Sequence, residues 1–370
     1  MNESFFKSRP TKSVVNLSNL EHNLSVVRSI VGDSKVMGVV KADAYGHGLV
    51  EIAKRLEEKD IDYLGVAYFE EGKLLRENNV CKPILVLGAV IKDQVKEYIK
   101  YDIEFTGSSI EKLREIDRVS KELKTKAKVH IKIDTGMGRI GVQWDRVDTF
   151  ISDLLSFKNI SIVGIYTHLS SSDSSRKYTK LQYKRFEIAL KKFKKYLDID
   201  SLLIHYANSS MVANNKGMDL KDMVRVGLLL YGYSDNPLIQ KKLSPVMSLH
   251  SVVSYFKVLE KGCPISYNMK YITKRQTRVV TIPIGYADGY SIEFSNRGIV
   301  MINGNKYPIR GKICMDQCMV EVGKGECYVG DKVELFGDNI LLKDLCKNTN
   351  ETPYTLLTGI SQRVPRVYIE

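Results

Sequence analysis

From about residue 36 to 235, short apolar runs alternate with stretches whose apolar residues recur at helical spacing. The runs are VMGVV (36–40), YLGVA (63–67), ILVL (84–87), DIEF (102–105), KVHIKI (128–133), SIVGIY (161–166), LLIHY (202–206) and MVRVG (223–227). Each gives way to a polar or glycine-bearing loop. Amphipathic stretches such as Leu49–Lys59, Ile110–Leu123 and Lys177–Leu197 lie between them. Eight βα units over about 200 residues predict a closed (β/α)8 barrel of the TIM type rather than an open doubly wound sheet. The absence of a G-x-G-x-x-G after the first run argues the same way, against a dinucleotide-binding sheet.

Beyond about residue 240 the pattern changes. MSLHSVVSYFKVL, TRVVTIPIGY, GIVMINGNKYPIRGKI and DKVELFG are strand-like, with turn signals at NGN, GKG and GDN. The expectation is a barrel over residues 10–240 and a mainly-β domain over 241–370. The strand-like Ser13–Leu17 precedes the barrel and is a candidate to join the β domain in space.

The 370 residues exceed one compact core, in keeping with two domains. A net charge of +13 raises nucleic acid as a partner, but the lysines sit among acids and apolar residues, as in KKFKKY and KELKTKAK. These are solvated helix faces, and a single tryptophan offers no stacking platform, so no nucleic-acid partner is expected. No apolar stretch has the length of a membrane span. MNESFFKSRPTKS shows no leader pattern, and the six cysteines lack metal or disulfide spacing. A cytoplasmic enzyme with free thiols and no metal is expected.

Barrel enzymes carry their chemistry at the C-terminal ends of the strands. The first run ends in Lys41, followed by Ala-Asp-Ala-Tyr-Gly-His-Gly. An amine held over a barrel mouth is desolvated, which lowers its pKa and suits a Schiff-base nucleophile. On spacing alone Lys41 reads equally as a rim lysine above a glycine turn. The fifth run ends in KIDTGMGRIG and presents Arg139; in isolation that is an ordinary turn with a solvated arginine. The sixth presents His168, and a lone histidine beside a strand is more often a satisfied core residue. The seventh ends in HYANSSM, where Asn208, Ser209 and Ser210 resemble a helix start suited to phosphate. Arg225 lies in the eighth run and Gly227 follows it; barrel phosphate sites commonly follow strands seven and eight. Each signal is weak alone, but together they converge on one face of the barrel.

VVKADAYGHG, KIDTGMGRIG, YTHLSSSD, HYANSS, RVGLLLYG, IPIGYADGY, GKICMDQ and the terminal RVPR occur in this order. In that arrangement the chain resembles the alanine racemases, fold-type III enzymes dependent on pyridoxal 5′-phosphate (PLP). The resemblance runs from about Arg9 to Arg366 and implies a PLP-binding barrel with a C-terminal β domain. It implies that Lys41 carries PLP as a Schiff base and is one of two acid/base groups. Tyr45, Ser209, the Gly227–Leu228 backbone and Tyr354 would bind the phosphate beside Asn208, and His168 would flank the pyridine ring. Arg225 would hydrogen-bond the ring nitrogen and keep it unprotonated, which suits an enzyme that only moves a proton. Arg139 would meet the phenolic oxygen and the substrate carboxylate. Lys132 matches a lysine that is carbamylated in some members.

The second base would be Tyr267 in ISYN, supplied by the other subunit of a head-to-tail homodimer. Met315, Asp316 and Tyr286 match substrate-binding positions on that side. Asn268 stands where the family usually has glycine, and asparagine adopts positive φ more readily than most residues. RPTKSVVNL departs from the usual W-x-E-I-x-L, which touches packing rather than chemistry. The small amino-acid substrate implied is alanine. A serine racemase shares the motifs but tends to carry a smaller residue where this chain has Tyr354. A non-catalytic PLP carrier would lack the β domain, and a fold-type III decarboxylase would use a cysteine with different lysine and histidine contexts.

Overall fold

A computed structural model describes residues 8–347 and 349–370; the MNESFFK segment, where no leader is read, lies outside them. The chain divides into two units. One comprises Glu21–Ala44 and Leu49–Ser244; the other comprises residues 8–20, Tyr45–Gly48 and Pro245–Glu370.

Along the chain, β1 (Lys12–Asn16) precedes the strands of the first unit: β2 (Lys35–Val39), β3 (Tyr63–Val66), β4 (Ile84–Val86), β5 (Phe105–Gly107), β6 (Ala127–Asp134), β7 (Val142–Gln143), β8 (Ile160–Tyr166), β9 (Leu203–Asn208) and β10 (Met223–Val226). Eight of these form a parallel sheet in the order β4-β3-β2-β10-β9-β8-β6-β5, with the short β7 beside β6. The sheet closes on itself where Leu85 bridges Glu104 in parallel, through Val86 N to Glu104 O at 3.1 Å and Glu104 N to Ile84 O at 2.8 Å. Strands with both faces covered carry continuous apolar runs, and every residue of YLGV and ILV is buried. The result is the TIM-type barrel expected from the alternating pattern.

The intervening helices bury one stripe each. In Ile110–Glu122 the stripe is Leu113, Ile116 and Val119, each contributing about 1.5–3 kcal/mol relative to exposure, and Ser109 caps the helix by accepting from Lys112 N. One run is displaced from its expected place. DIEF was expected at 102–105, but pairing begins with the bridge at Glu104 and the strand proper at Phe105, because Asp102, at φ +47°, still closes the turn after the helix Val95–Lys100.

The second unit is mainly β, as its texture predicts. Its strands after β1 are β11 (Met247–Val252), β12 (Tyr255–Leu259), β13 (Pro264–Ile265), β14 (Tyr271–Ile272), β15 (Thr277–Ile282), β16 (Ile299–Ile302), β17 (Asn305–Pro308), β18 (Cys318–Gly323), β19 (Lys332–Phe336) and β20 (Arg366–Ile369). They form a sheet in the order β17-β16-β19-β11-β1-β20, a three-stranded sheet β12-β15-β18 and the hairpin β13-β14. β1 lies antiparallel to β11 and parallel to β20, so the earliest strand is paired on both sides by late ones. Arg9 secures this unit with two bonds to the fully buried Asp288 carboxylate, at 2.6 and 2.7 Å. Arg363 joins Asp288 at 3.3 Å. Among the described residues no helix is long and apolar enough to cross a membrane.

Candidate functional site

β2 ends at Val39, two residues before Lys41, which opens the turn Lys41–Gly46. That turn is left-handed. Ala42, Asp43, Ala44 and Tyr45 have φ of 53°, 54°, 51° and 55°. L-residues visit this region singly, at about 1–2 kcal/mol each, so four in succession form a strained segment that its surroundings must hold. Glu71 does part of this, accepting from Ala42 N at 2.6 Å and from Ala67 N at 2.7 Å. Asp43 accepts from Leu49 N at 2.8 Å, and Ala44 N donates to Val40 O at 2.8 Å. The left-handed turn was not read from KADAYGHG. Its traces are the small alanines, an aspartate and the glycines that follow.

The glycines answer to close approaches in the second unit. At Gly46 (φ +82°) a Cβ would strike the carbonyl of Leu357, and at Gly48 (φ +101°) the Tyr368 hydroxyl. Arg366 Nε donates to Gly46 O at 3.0 Å and Tyr368 Oη to His47 O at 3.1 Å. The final RVPRVY segment therefore clasps the YGHG loop.

In the barrel unit the predicted residues Lys41, Lys132, Arg139, His168 and Arg225 are close enough to act on one another electrostatically. Burial lowers the Lys41 amine and the Arg139 charge lowers it further, while Glu71 opposes the shift. Burial also holds Lys132 well below the ordinary lysine range, aided by Arg225 and Arg139. Its Nζ sits 4.3 Å from the Tyr166 ring centroid, with Arg225 Cζ 5.2 Å from the same centroid. Such rings favour cations, so Tyr166 partly offsets their crowding. The loop presenting Arg139 is shaped by Asp134, which accepts from the backbone N–H groups of Gly136, Met137 and Gly138.

Asn208 caps the helix Ser209–Ala213, accepting from Met211 N at 2.9 Å and from Ser172 Oγ at 2.8 Å. Ser209 Oγ accepts from Gly227 N at 2.9 Å, tying the loops after β9 and β10. Leu228, next in sequence, is buried. Ser210 Oγ is buried without a hydrogen-bond partner among the described residues.

Arg225 is buried, and burial lowers it to about 10, so it remains a cation at neutral pH. Its guanidinium donates to Thr167 O at 2.8 Å, His168 Nδ1 at 3.2 Å and His205 Nδ1 at 3.0 Å. His205 continues to His130 at 3.0 Å, and His130 to Glu104 at 2.8 Å. Glu104, His130 and His205 were missed from the sequence. They lie inside apolar runs and look like isolated core polar residues until the barrel brings them together.

The remaining candidates belong to the second unit. Tyr45 is buried, its ring centroid 6.1 Å from that of Tyr354, and burial raises its hydroxyl pKa above the ordinary tyrosine value. Tyr267 starts a short 3₁₀ turn in which Ser266, Asn268 and Met269 have φ of 65°, 58° and 48°. Asn268 thus takes the left-handed conformation that its replacement of glycine calls for. Ser266 Oγ donates to Lys312 O, Tyr286 N to Cys314 O at 3.0 Å and Ala287 N to Met315 O at 3.0 Å. These bonds gather Tyr267, Tyr286, Met315 and Asp316. Tyr267 is 64% exposed and Met315 52%. Asp316 pairs with Arg363 at 2.6 Å and so joins the Asp288–Arg9 anchor.

The family model of the alanine racemase N-terminal domain matches residues 15–235, and that of the C-terminal domain matches 246–368. The alanine racemase of Halothermothrix orenii is 41% identical over 370 residues, covering 98% of this chain and 97% of the relative. Among solved structures, the alanine racemase of Clostridium difficile 630 aligns with a TM-score of 0.91 at 37% identity, covering 98% of this chain and 96% of that one. That of Bartonella henselae, solved with covalently bound pyridoxal phosphate, aligns at 0.89 with 26% identity, covering 97% and 99%.

Proposed function

The chain belongs to the alanine racemase family, and we propose that it interconverts L- and D-alanine by two-base proton transfer. The observation that carries the reading is Lys41: an amine held on a strained turn, lowered by burial and by Arg139, in the unit that contains Arg225 and His168. The donor set fits PLP, an anionic, amine-reactive ring. It offers the Lys41 amine with its lowered proton affinity, two arginines, a histidine and the Ser210 hydroxyl, which has no partner among the described residues, at the phosphate-type loop. When bound, PLP supplies the electron sink that acidifies the α-proton of the amino acid.

The chain's own residues divide the remaining work. Lys41 would hold the cofactor and move the proton at Nζ on one face of the α-carbon. Tyr267 of a second copy would move it at Oη on the opposite face. Arg225 would donate to the ring nitrogen, and a guanidinium has no proton to give up there. His168 accepts from Arg225 at Nδ1, which leaves Nε2 as a donor that would stabilise the Tyr267 tyrosinate of the second copy. Burial, with Arg225 second, holds His168 well below the usual histidine range, so it stays neutral. Arg139 would take the substrate carboxylate together with Met315 and Asp316, and Tyr286 would narrow the access. Tyr45, Ser209, Gly227, Leu228 and Tyr354 would hold the phosphate, with Asn208 fixing the loop.

A head-to-tail homodimer follows from this division. The exposed Tyr267, Met269 and Met315 put large apolar side chains on the surface of the β unit, which supports a second copy covering it. The six cysteines are free thiols, which suits the cytoplasm. Assays of PLP-loaded protein with L- and D-alanine and with serine test the function. Alanine is expected to turn over faster than serine, because Tyr354 is kept beside Tyr45. Faster serine turnover would overturn the substrate, and no interconversion of either would overturn the function.

Lys132 would be carbamylated. Its buried amine attacks CO2, an N–C bond forms and one proton leaves to solvent. The anion produced would relieve the crowding with Arg225 and Arg139. With 13C-labelled bicarbonate, a carbamate carbon resonance is expected in the wild-type protein and none in Lys132→Arg. Its absence from wild type would refute the modification.

A further inference from the structure

We propose that Glu104, His130 and His205 are positioning residues: a one-directional relay of neutral imidazoles that ties the buried Arg225 guanidinium to the buried Glu104 carboxylate. The relay rests on Arg225 belonging to the functional site, as proposed above, but its geometry does not.

The direction follows from donor accounting. An arginine side chain has donors and no acceptor. His205 Nδ1, 3.0 Å from Arg225 Nη1, must therefore accept, and the ring proton of His205 sits on Nε2. That proton points at His130 Nδ1, 3.0 Å away, so His130 must accept there and carry its own proton on Nε2. His130 Nε2 then donates to Glu104 Oε2 at 2.8 Å. A second proton on either ring would set two donors face to face. Both imidazoles are thus neutral, in the same tautomer, aligned from Arg225 toward Glu104.

The surroundings agree with this polarity. Burial pushes His205 well below the ordinary histidine range, and Arg225 pushes it further. Its ring lies flat on Tyr166, with centroids 4.7 Å apart and planes 4° apart, and His130 meets Tyr63 edge-on at 6.0 Å. Burial, and after it the Glu104 charge, holds the Tyr63 hydroxyl above the ordinary tyrosine value. Among the described residues Arg225 has no carboxylate in contact. Its other partners are Thr167 O, Tyr206 O and His168.

Glu104 is also the residue whose backbone closes the barrel. The counter-charge for Arg225 is thus built into the seam before β5, at the opposite ends of the strands from His168. The relay runs through the barrel interior by His205 of β9 and His130 of β6, where small barrels normally hold apolar layers.

Removing the Glu104 charge leaves the interior more positive. Arg139 faces Arg225 as a like charge, burial and both arginines hold Lys132 away from its cationic form, and Asp134 bears on Lys132 as Glu71 does on Lys41. Acids and bases alike would then lose protons at lower pH. Glu104→Gln keeps an acceptor for His130 while deleting the charge. It is expected to move the acidic limb of the kcat/KM profile for alanine downward, on the order of half a pH unit.

The deciding measurement is independent of turnover. In wild-type holoenzyme labelled with 15N-histidine, His130, His205 and His168 are expected as neutral Nε2–H tautomers at the pH of the activity assay. A charged or Nδ1–H form of His130 or His205 would overturn the relay. So would a folded Glu104→Gln protein whose pH profile superposes on wild type. If the variant does not fold, the wild-type tautomers decide alone. A protein showing the tautomers but no racemisation would refute the functional reading and leave the relay standing.

Discussion

Replacing Lys41 with alanine is expected to abolish alanine racemisation, a loss on the order of 10⁴-fold or more, while the protein stays folded. The size follows from two losses at one atom: the amine that holds the cofactor and the base for one face of the substrate carbon. Folding should survive because the turn that carries Lys41 is secured by its neighbours. Glu71 takes the N–H of Ala42, and Asp43 takes that of Leu49, with neither bond involving the lysine side chain. The check is D-alanine formed from L-alanine, read beside deuterium uptake at the α-carbon and the visible absorbance of lysine-bound PLP. All three should vanish together with the melting temperature little changed. A variant that keeps a tenth of wild-type activity would remove Lys41 from the mechanism.

The barrel and its strand-end residues were legible because each rests on a local signal. A buried parallel strand is a short apolar run, and the loop after it is polar or glycine-rich; ILV and VMGVV carry that pattern without help from the rest of the chain. Lys41, Arg139 and His168 could be placed at strand ends on the same basis. What escaped depends on partners far away in sequence. Nothing local distinguishes the histidine of KVHIKI or LLIHY from a solitary core residue, since its role appears only when β9 and β6 bring the two rings into line with Arg225. The left-handed turn is similar, as alanine and tyrosine have no preference for positive φ and are held there by tertiary contacts. The grouping of Tyr45–Gly48 with the C-terminal unit likewise depends on Arg366 and Tyr368, more than three hundred residues away. Asn268 is the opposite case: a departure from the family whose side chain already named the backbone conformation it adopts.

Tyr267→Phe is expected to leave cofactor binding intact and to cut racemisation by about 10²- to 10⁴-fold, the usual contribution of a placed acid or base. The deletion is confined to one hydroxyl on an exposed ring, so neither packing nor the lysine is touched. With one base gone, Lys41 can still exchange the proton on its own face. The variant should therefore retain deuterium exchange into one alanine enantiomer while exchange into the other collapses. Equal loss in both directions would mean that Tyr267 is not a face-specific base. The same variant tests the assembly. If Lys41 and Tyr267 of each site come from different copies, mixing Lys41→Ala with Tyr267→Phe and allowing subunits to exchange restores one complete site per mixed dimer. Random pairing makes half the dimers mixed, each with one of two sites intact, so activity should rise to about a quarter of wild type. Had both residues of a site come from one copy, every site would lack one or the other, and mixing would restore nothing. Activity that stays at the level of the separate variants after proven exchange would therefore place both bases on one chain and rule out the shared site.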